Sequence, residues 1–203
     1  MMKSVENADI VRNLLKIGDD GVAWKLTWAI DDVKSGGSYA KVLYHPFDWR
    51  WCYFTGKSSG LMARPRMPES QHLLKKNIAL LAVRNTRRSM INNYFITNTI
   101  VDKDGISSFD NCRFFPLYLY PTDGEEQLGE SRKPNLDEKI WHKIDKSAKL
   151  KTTPEQIFDY IYGVLHTPSY REKYKEFLKI DFPRIPYPES KADFERVVSI
   201  GNK

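Results

Sequence analysis

Residues 152–188 read Thr-Thr-Pro-Glu-Gln-Ile-Phe-Asp-Tyr-Ile-Tyr-Gly-Val-Leu-His-Thr-Pro-Ser-Tyr-Arg-Glu-Lys-Tyr-Lys-Glu-Phe-Leu-Lys-Ile-Asp-Phe-Pro-Arg-Ile-Pro-Tyr-Pro. Thr153 has the chemistry of an N-cap, Pro154 fills the first helical position, where its missing N–H costs nothing, and Gln156 completes a capping box. Ile157, Tyr160, Ile161, Val164 and Leu165 then share one apolar helix face. Thr167-Pro168 repeats the start signal, and Tyr170, Tyr174, Phe177 and Leu178 form the stripe of a second helix. From Asp181 to Pro188 the prolines forbid helix, so the chain leaves extended. The local expectation is a helical hairpin followed by a stiff strap.

Outward from this hairpin, the character of the chain changes several times. Residues 5–17 place Ile10, Val11, Leu14, Leu15 and Ile17 at helical spacing up to Gly18, and Asp19-Asp20-Gly21 reads as a turn. Residues 22–33 give a second helix, with a strand left open by Trp24 and Trp28. Met-Met-Lys running straight into a helix is expected of a piece cut from a longer protein. From Tyr39 the chain turns to β. Residues 41–44 and 50–54 flank His45-Pro46-Phe47-Asp48, whose proline marks a bend. Residues 78–83, 94–101 and 112–120 are further strands. The stretch 121–150 is polar and charged, with one short helix near 135–147. No repeat of fixed period occurs. The expected fold class is α+β, a mixed sheet with N-terminal helices and the C-terminal helical hairpin. Its parts are 1–38, a β-rich body at 39–121, a charged linker at 122–150 and the hairpin with its strap at 151–203.

Two hundred and three residues suffice to bury a core, and 41% hydrophobic content is that of a globular chain. No apolar run reaches membrane-spanning length, and the start lacks a signal-peptide core. Cys52 and Cys112 are too few for a disulfide framework and read as reduced thiols of a cytoplasmic protein. The net charge is +6. It is concentrated between Trp49 and Val101, where Arg50, Lys57, Arg64, Arg66, Lys75, Lys76, Arg84, Arg87 and Arg88 face only Glu69. An anionic partner fits that middle third.

Three blocks together carry a resemblance. They are Leu43-Tyr44-His45-Pro46-Phe47-Asp48-Trp49-Arg50, Phe114-Phe115-Pro116-Leu117-Tyr118-Leu119-Tyr120, and the hairpin with Pro183-Arg184-Ile185-Pro186-Tyr187. In that order they resemble the C-terminal specificity domain of type ISP restriction–modification enzymes and related single-chain adenine methyltransferases. The resemblance covers roughly residues 40–190. It implies a domain that follows a methyltransferase domain in its parent and recognises the DNA target. Double-stranded DNA and that methyltransferase domain are then the expected partners. Where the family places arginine this chain has His45, whereas Arg50 matches.

Catalytic signatures are missing. No Gly-x-Gly offers a cofactor loop, no Asn-Pro-Pro-aromatic motif holds an adenine, and no Walker A loop is present. The expected cofactor content of this chain is none, with S-adenosylmethionine bound by the parent enzyme. Glu189-Ser190-Lys191 fits half of a metal-dependent nuclease site but reads as solvated charge after the prolines. His45, His72, His142 and His166 lack ligand spacing. His166, at the end of a helix, reads as a partly charged cap on its dipole.

Two loops combine residues suited to phosphates and base edges. The first, residues 55–68, supplies Lys57, Ser58, Ser59, Arg64 and Arg66. The second supplies Arg84, Asn85, Arg87 and Arg88, directly after the apolar strand at an expected sheet edge. Asn92, Asn93, Asn98 and Lys103 extend the same surface. The aromatic residues Trp49, Trp51, Tyr53, Phe54, Phe114, Phe115, Tyr118 and Tyr120 have strand-face spacing and are expected in the core, as are Tyr160, Tyr170 and Tyr174. The competing function is a structural module packing on a partner domain; an independent nuclease ranks below both.

Overall fold

The structure, a computed structural model, describes residues 2–19, 24–86, 94–107, 110–121 and 132–203. Two helices lead: α1 (Met2–Leu15) and α2 (Leu26–Ser35). The hairpin β1 (Ser38–His45) and β2 (Asp48–Phe54) follows, then the short α3 (Met67–Ser70), which runs into a 3-10 turn at Gln71–Leu73. Next come β3 (Ala79–Val83), β4 (Phe95–Thr97), β5 (Ile100–Val101), β6 (Cys112–Pro116), β7 (Tyr118–Leu119) and β8 (Lys133–Pro134). The helices α4 (Glu138–Ala148), α5 (Pro154–His166), α6 (Pro168–Lys173), α7 (Lys175–Leu178) and α8 (Lys191–Gly201) close the chain. The described residues thus form an α+β fold, as expected, and no helix among them is long and apolar enough to cross a membrane.

The middle sheet, ordered β4-β3-β6 and antiparallel throughout, organises the core. Its central strand β3 reads as an unbroken apolar run because both of its faces are covered. Ala79 and Leu81 enter one cluster with Ala40, Val42, Phe54, Ile100, Cys112 and Phe114. Leu80 and Ala82 meet the helical cluster of Tyr94, Ile144, Ile157, Val164, Leu165 and Phe194 on the other side. A second sheet, β2-β1-β5, packs through the first cluster, with β1 antiparallel to β2 and parallel to β5.

Residues 94–101, expected as one β-rich stretch, serve two sheets: β4 joins the middle sheet and β5 the second. The crossover turns at Thr97 and Thr99, whose N–H donates to Thr97 Oγ1 at 3.2 Å. Residues 112–120 likewise break at Leu117, between β6 and β7. The helix in the charged stretch is α4. Asp137 caps it by accepting from Ile140 N, and its Ile144 and Ala148 are buried in the helical cluster.

The hairpin begins as the sequence dictates, with Thr153 Oγ1 accepting from Gln156 N at 3.2 Å and Gln156 Oε1 accepting from Thr153 N at 3.0 Å. The second helix divides at Tyr174 into α6 and α7. The strap forms neither helix nor strand and is fastened by two buried phenols: Tyr160 donates to Pro186 O at 3.1 Å and Tyr170 to Arg184 O at 2.9 Å. Glu189-Ser190-Lys191 opens α8, a helix not expected from the sequence. Ser190 Oγ accepts from Asp193 N, and Lys191 pairs with Glu195 at 3.7 Å.

Several expectations of burial are overturned. Trp49 and Trp51 stand exposed on β2, on the side turned away from the core cluster, and Phe115 and Tyr174 are partly exposed because Phe182 and Tyr170 cover each of them only in part. The first helix forms as expected but ends at Leu15, and its Ile10 and Leu14 face solvent. Phe54, Phe114, Tyr118, Tyr160 and Tyr170 are buried as expected. The Asp-Asp-Gly turn lies outside the described residues from position 20 on.

Candidate nucleic-acid interface

Strand β6 alternates Cys112, Phe114 and Pro116 inward with Arg113 and Phe115 outward. Beside its outward face lies a cleft of about 340 Å³ lined by Arg66, Arg84, Arg113, His72, Phe115 and Phe182 among others. Phe182 arrives from the strap and meets Phe115 edge to face at 5.5 Å. Arg66 is anchored: its Nη1 donates to Cys112 O at 2.8 Å and its guanidinium sits 5.1 Å from the Phe114 ring. Arg84 Nε donates to Asp181 Oδ1 at 3.1 Å, an exposed pair that contributes little stability and can exchange partners. Arg113 is exposed, carried on the backbone of β6 where it pairs with Ala82. One carboxylate, Glu69, shares this lining with the three guanidiniums. His72 is held neutral, since burial lowers its pKa and its Nδ1 accepts from Tyr120 N at 3.0 Å.

A second cleft, of about 490 Å³, is lined by Arg64, Lys103, Met62, Phe54, Ile100 and Asp102 among others. Pro65 lies between Arg64 and Arg66, so one short segment contributes to both clefts. The structure thereby brings together Arg64 with Lys103, and Arg66 with Arg84.

Lys57 and Ser58 are exposed in the loop after β2. That loop is fastened by Asp32 of α2, which is fully buried. Thr55 Oγ1 and Leu61 N both donate to Asp32 Oδ2, the latter at 2.7 Å, and Trp24 Nε1 donates to Leu61 O at 3.1 Å. A Cβ on Gly60 would stand 2.2 Å from the same Oδ2, so this turn requires glycine.

Of the segment 84–89, expected at a sheet edge, only residues 84–86 are described, and for these the expectation is corrected. Strand β3 is central, and Arg84 and Asn85 leave its end instead. Asn85 is exposed, and Thr86 N ties the segment to Lys179 O at 3.0 Å. Asn98 is exposed in the turn between β4 and β5 and lines neither cleft. Arg87, Arg88, Asn92 and Asn93 lie outside the described residues. Arg113 and Phe182 were not singled out from sequence, and His72 was weighed only as a metal ligand; the alternation of Cys-Arg-Phe-Phe-Pro was the available signal for Arg113.

Two other expectations resolve into architecture. Arg50 binds Asp48 at 2.8 Å and stacks 3.9 Å from the Tyr44 ring, clamping the hairpin tip. This hydrogen bond holds the Asp48 carboxyl below its usual pKa. His166 is not a charged helix cap. Burial, then the neighbouring Arg171 charge, depress its pKa; its Nδ1 lies 2.9 Å from Arg171 Nη2 and its Nε2 3.3 Å from Tyr94 O. The guanidinium does the capping, with Arg171 Nε donating to Leu165 O at 2.5 Å.

No curated protein matches the sequence. Among solved structures, a cryoEM structure of a DrdV–DNA complex is similar, at 28% identity and a TM-score of 0.63, over 85% of this chain and 16% of that one. The ATP-dependent type ISP restriction-modification enzyme LlaBIII bound to DNA shares the fold at 18% identity and a TM-score of 0.64, over 99% of this chain and 13% of its own. A nuclease-deletion mutant of the type ISP enzyme LlaGI, in complex with a DNA substrate mimic, does so at 22% identity and 0.54, over 82% and 13%. This chain therefore spans under a fifth of each solved chain it matches. The family model for the type ISP C-terminal specificity domain matches residues 2–203, and the chain belongs to that family.

Proposed function

We propose that this chain docks duplex DNA and reads the target sequence of a type ISP restriction–modification enzyme. In the parent it would present one adenine to a methyltransferase domain of the same polypeptide, and S-adenosylmethionine would be bound there rather than here. The observation that carries the reading is the convergence of Arg66, Arg84 and Arg113 on one cleft beside Arg64 and Lys103 in the next, within a specificity domain. The DNA-bound state of DrdV, at 28% identity, supports it. Arginines aimed at a duplex neutralise phosphates and pair with the O6 and N7 edge of guanine. Phosphate contacts set the register and base contacts then select the site.

The test is selection from a pool of duplexes with a randomised central segment, using the 203-residue chain. Enrichment of one motif is expected. A pool that stays random after repeated rounds, while still being retained at low salt, contradicts target reading.

A further inference from the structure

The hairpin β1–β2 has two unlike faces. Ala40, Val42, Cys52 and Phe54 point into the core. The opposite face carries Tyr39 and Lys41 on β1, which pair with Tyr53 and Trp51 on β2; two residues further on, Trp49 pairs with Leu43, where the face closes into the core. Tyr39 is 78% exposed, Trp51 72% and Trp49 46%. An exposed aromatic group of this size is uncommon on a surface with no partner. The β2 side of this sheet is also a free edge among the described residues.

Charge decides what fits there. Lys41 Nζ sits 5.6 Å from the centre of the Trp49 ring, and Asp48, the hairpin's acidic residue, is taken up by Arg50. Lys57 continues the exposed positive charge just past the end of β2. An apolar protein face laid on this ribbon would bury the Lys41 ammonium without a counter-charge, which is costly. A polynucleotide strand supplies phosphates for the lysines and flat bases for the rings. Side chains two residues apart on a strand repeat about every 7 Å, a step suited to successive bases of an extended single strand.

We propose that this face is a binding platform for single-stranded DNA, on which unpaired bases stack against Trp51, Trp49 and Tyr39 while Lys41 meets the backbone. It is separate from the two arginine-bearing clefts and does not depend on the duplex reading. Every base has a π-face, so binding here is tolerant of sequence, unlike target reading.

The experiment titrates the 203-residue chain with oligothymidylate and follows tryptophan fluorescence. Saturable quenching is expected, with Trp51→Ala weakening the single-strand affinity roughly tenfold. Trp51→Phe keeps a ring and is expected to retain most of the affinity. Arg84→Ala with Arg113→Ala should leave this binding within about twofold. Trp51 is exposed, so its variants are expected to fold, and a thermal melt confirms it. The proposal is overturned by an absence of quenching at low salt, or by equal single-strand affinity in wild type and Trp51→Ala. It is also overturned if Trp51→Ala abolishes a concentration-dependent dimer while single-strand binding is absent; the face is then a protein contact.

Discussion

Gly163 of α5 and Gly201 of α8 face each other where the two helices cross, and neither position has room for a Cβ. A Cβ at Gly163 would stand 2.5 Å from Val197 O, and one at Gly201 would stand 1.9 Å from Asp159 O and 3.0 Å from Gly163 N. The crossing brings Phe194 under Tyr160, with ring centroids 5.2 Å apart, and Tyr160 in turn holds the strap. Gly163→Ala therefore forces two backbones apart. Overpacking of this kind costs roughly 1–3 kcal/mol, and urea denaturation of the variant should show that loss. An unchanged midpoint would mean that α8 does not seat against α5 in this way.

Asp32 is the anchor of the loop that presents Lys57 and Ser58. Asp32→Ala leaves the Leu61 N–H without its acceptor and frees Thr55. Removing one partner of a buried hydrogen bond costs roughly 1–3 kcal/mol. The expected signature is local as well as global, in that the Leu61 amide should lose protection from hydrogen exchange ahead of the amides of β3. Uniform loss of protection over the chain would contradict a role in holding this loop.

Acidification should weaken the fold through His166 and His72. Burial is the leading cause that depresses both pKa values below the ordinary histidine value, and for His166 Arg171 adds to it. The unfolded chain then binds more protons than the native one around and below pH about 6.5. This contribution is complete above that pH and is lost as the pH falls through it toward the lower folded values. Melting temperatures between pH 7.5 and 5.5 should fall more steeply for wild type than for His166→Gln with His72→Gln. Parallel curves would rule out the histidines as the source.

Burial pushes the Cys112 thiol up to about 12 and raises that of Cys52. The thiolate is the reactive form. An aromatic disulfide reagent at pH 8 should therefore leave Cys112 unmodified in the native chain and modify it at once in denaturant. Rapid native labelling of Cys112 would show that the interface between β3 and β6 opens.

The parts of this fold that were legible in sequence are those fixed by near neighbours. Thr153, Pro154 and Gln156 announce α5 because a cap is a contact across three residues. Residues 78–83 announce β3 because an apolar run of that length suits a strand covered on both sides. Helix α8 escaped notice because its cap, Ser190, sits inside a charged triplet and its packing depends on Gly163, far away in the chain. Trp49 and Trp51 have the spacing of a strand face, and the spacing is correct; which face meets the core is set by β5 and β6, which a local reading does not see. The same limit applies to the clefts. Arg64 and Arg66 were recognisable as basic loop residues. Their separation into two clefts, with Lys103 in one and Arg84, Arg113 and Phe182 in the other, arises only when segments distant in the chain fold together.

The proposed docking of duplex DNA in the arginine-lined clefts has a direct electrostatic signature. Equilibrium binding of the chain to a fixed duplex across a series of salt concentrations tests it most directly, with Arg84→Ala and Arg113→Ala measured singly and together. The logarithm of affinity falls linearly with that of salt concentration, and each phosphate contact removed lowers the slope by about 0.9 for duplex DNA. Steep salt dependence is expected for wild type, with a slope shallower by up to about 2 in the double variant and melting temperatures that stay unchanged. A wild-type chain that fails to bind duplex even at low salt, or a double variant with the wild-type slope and affinity, would contradict it.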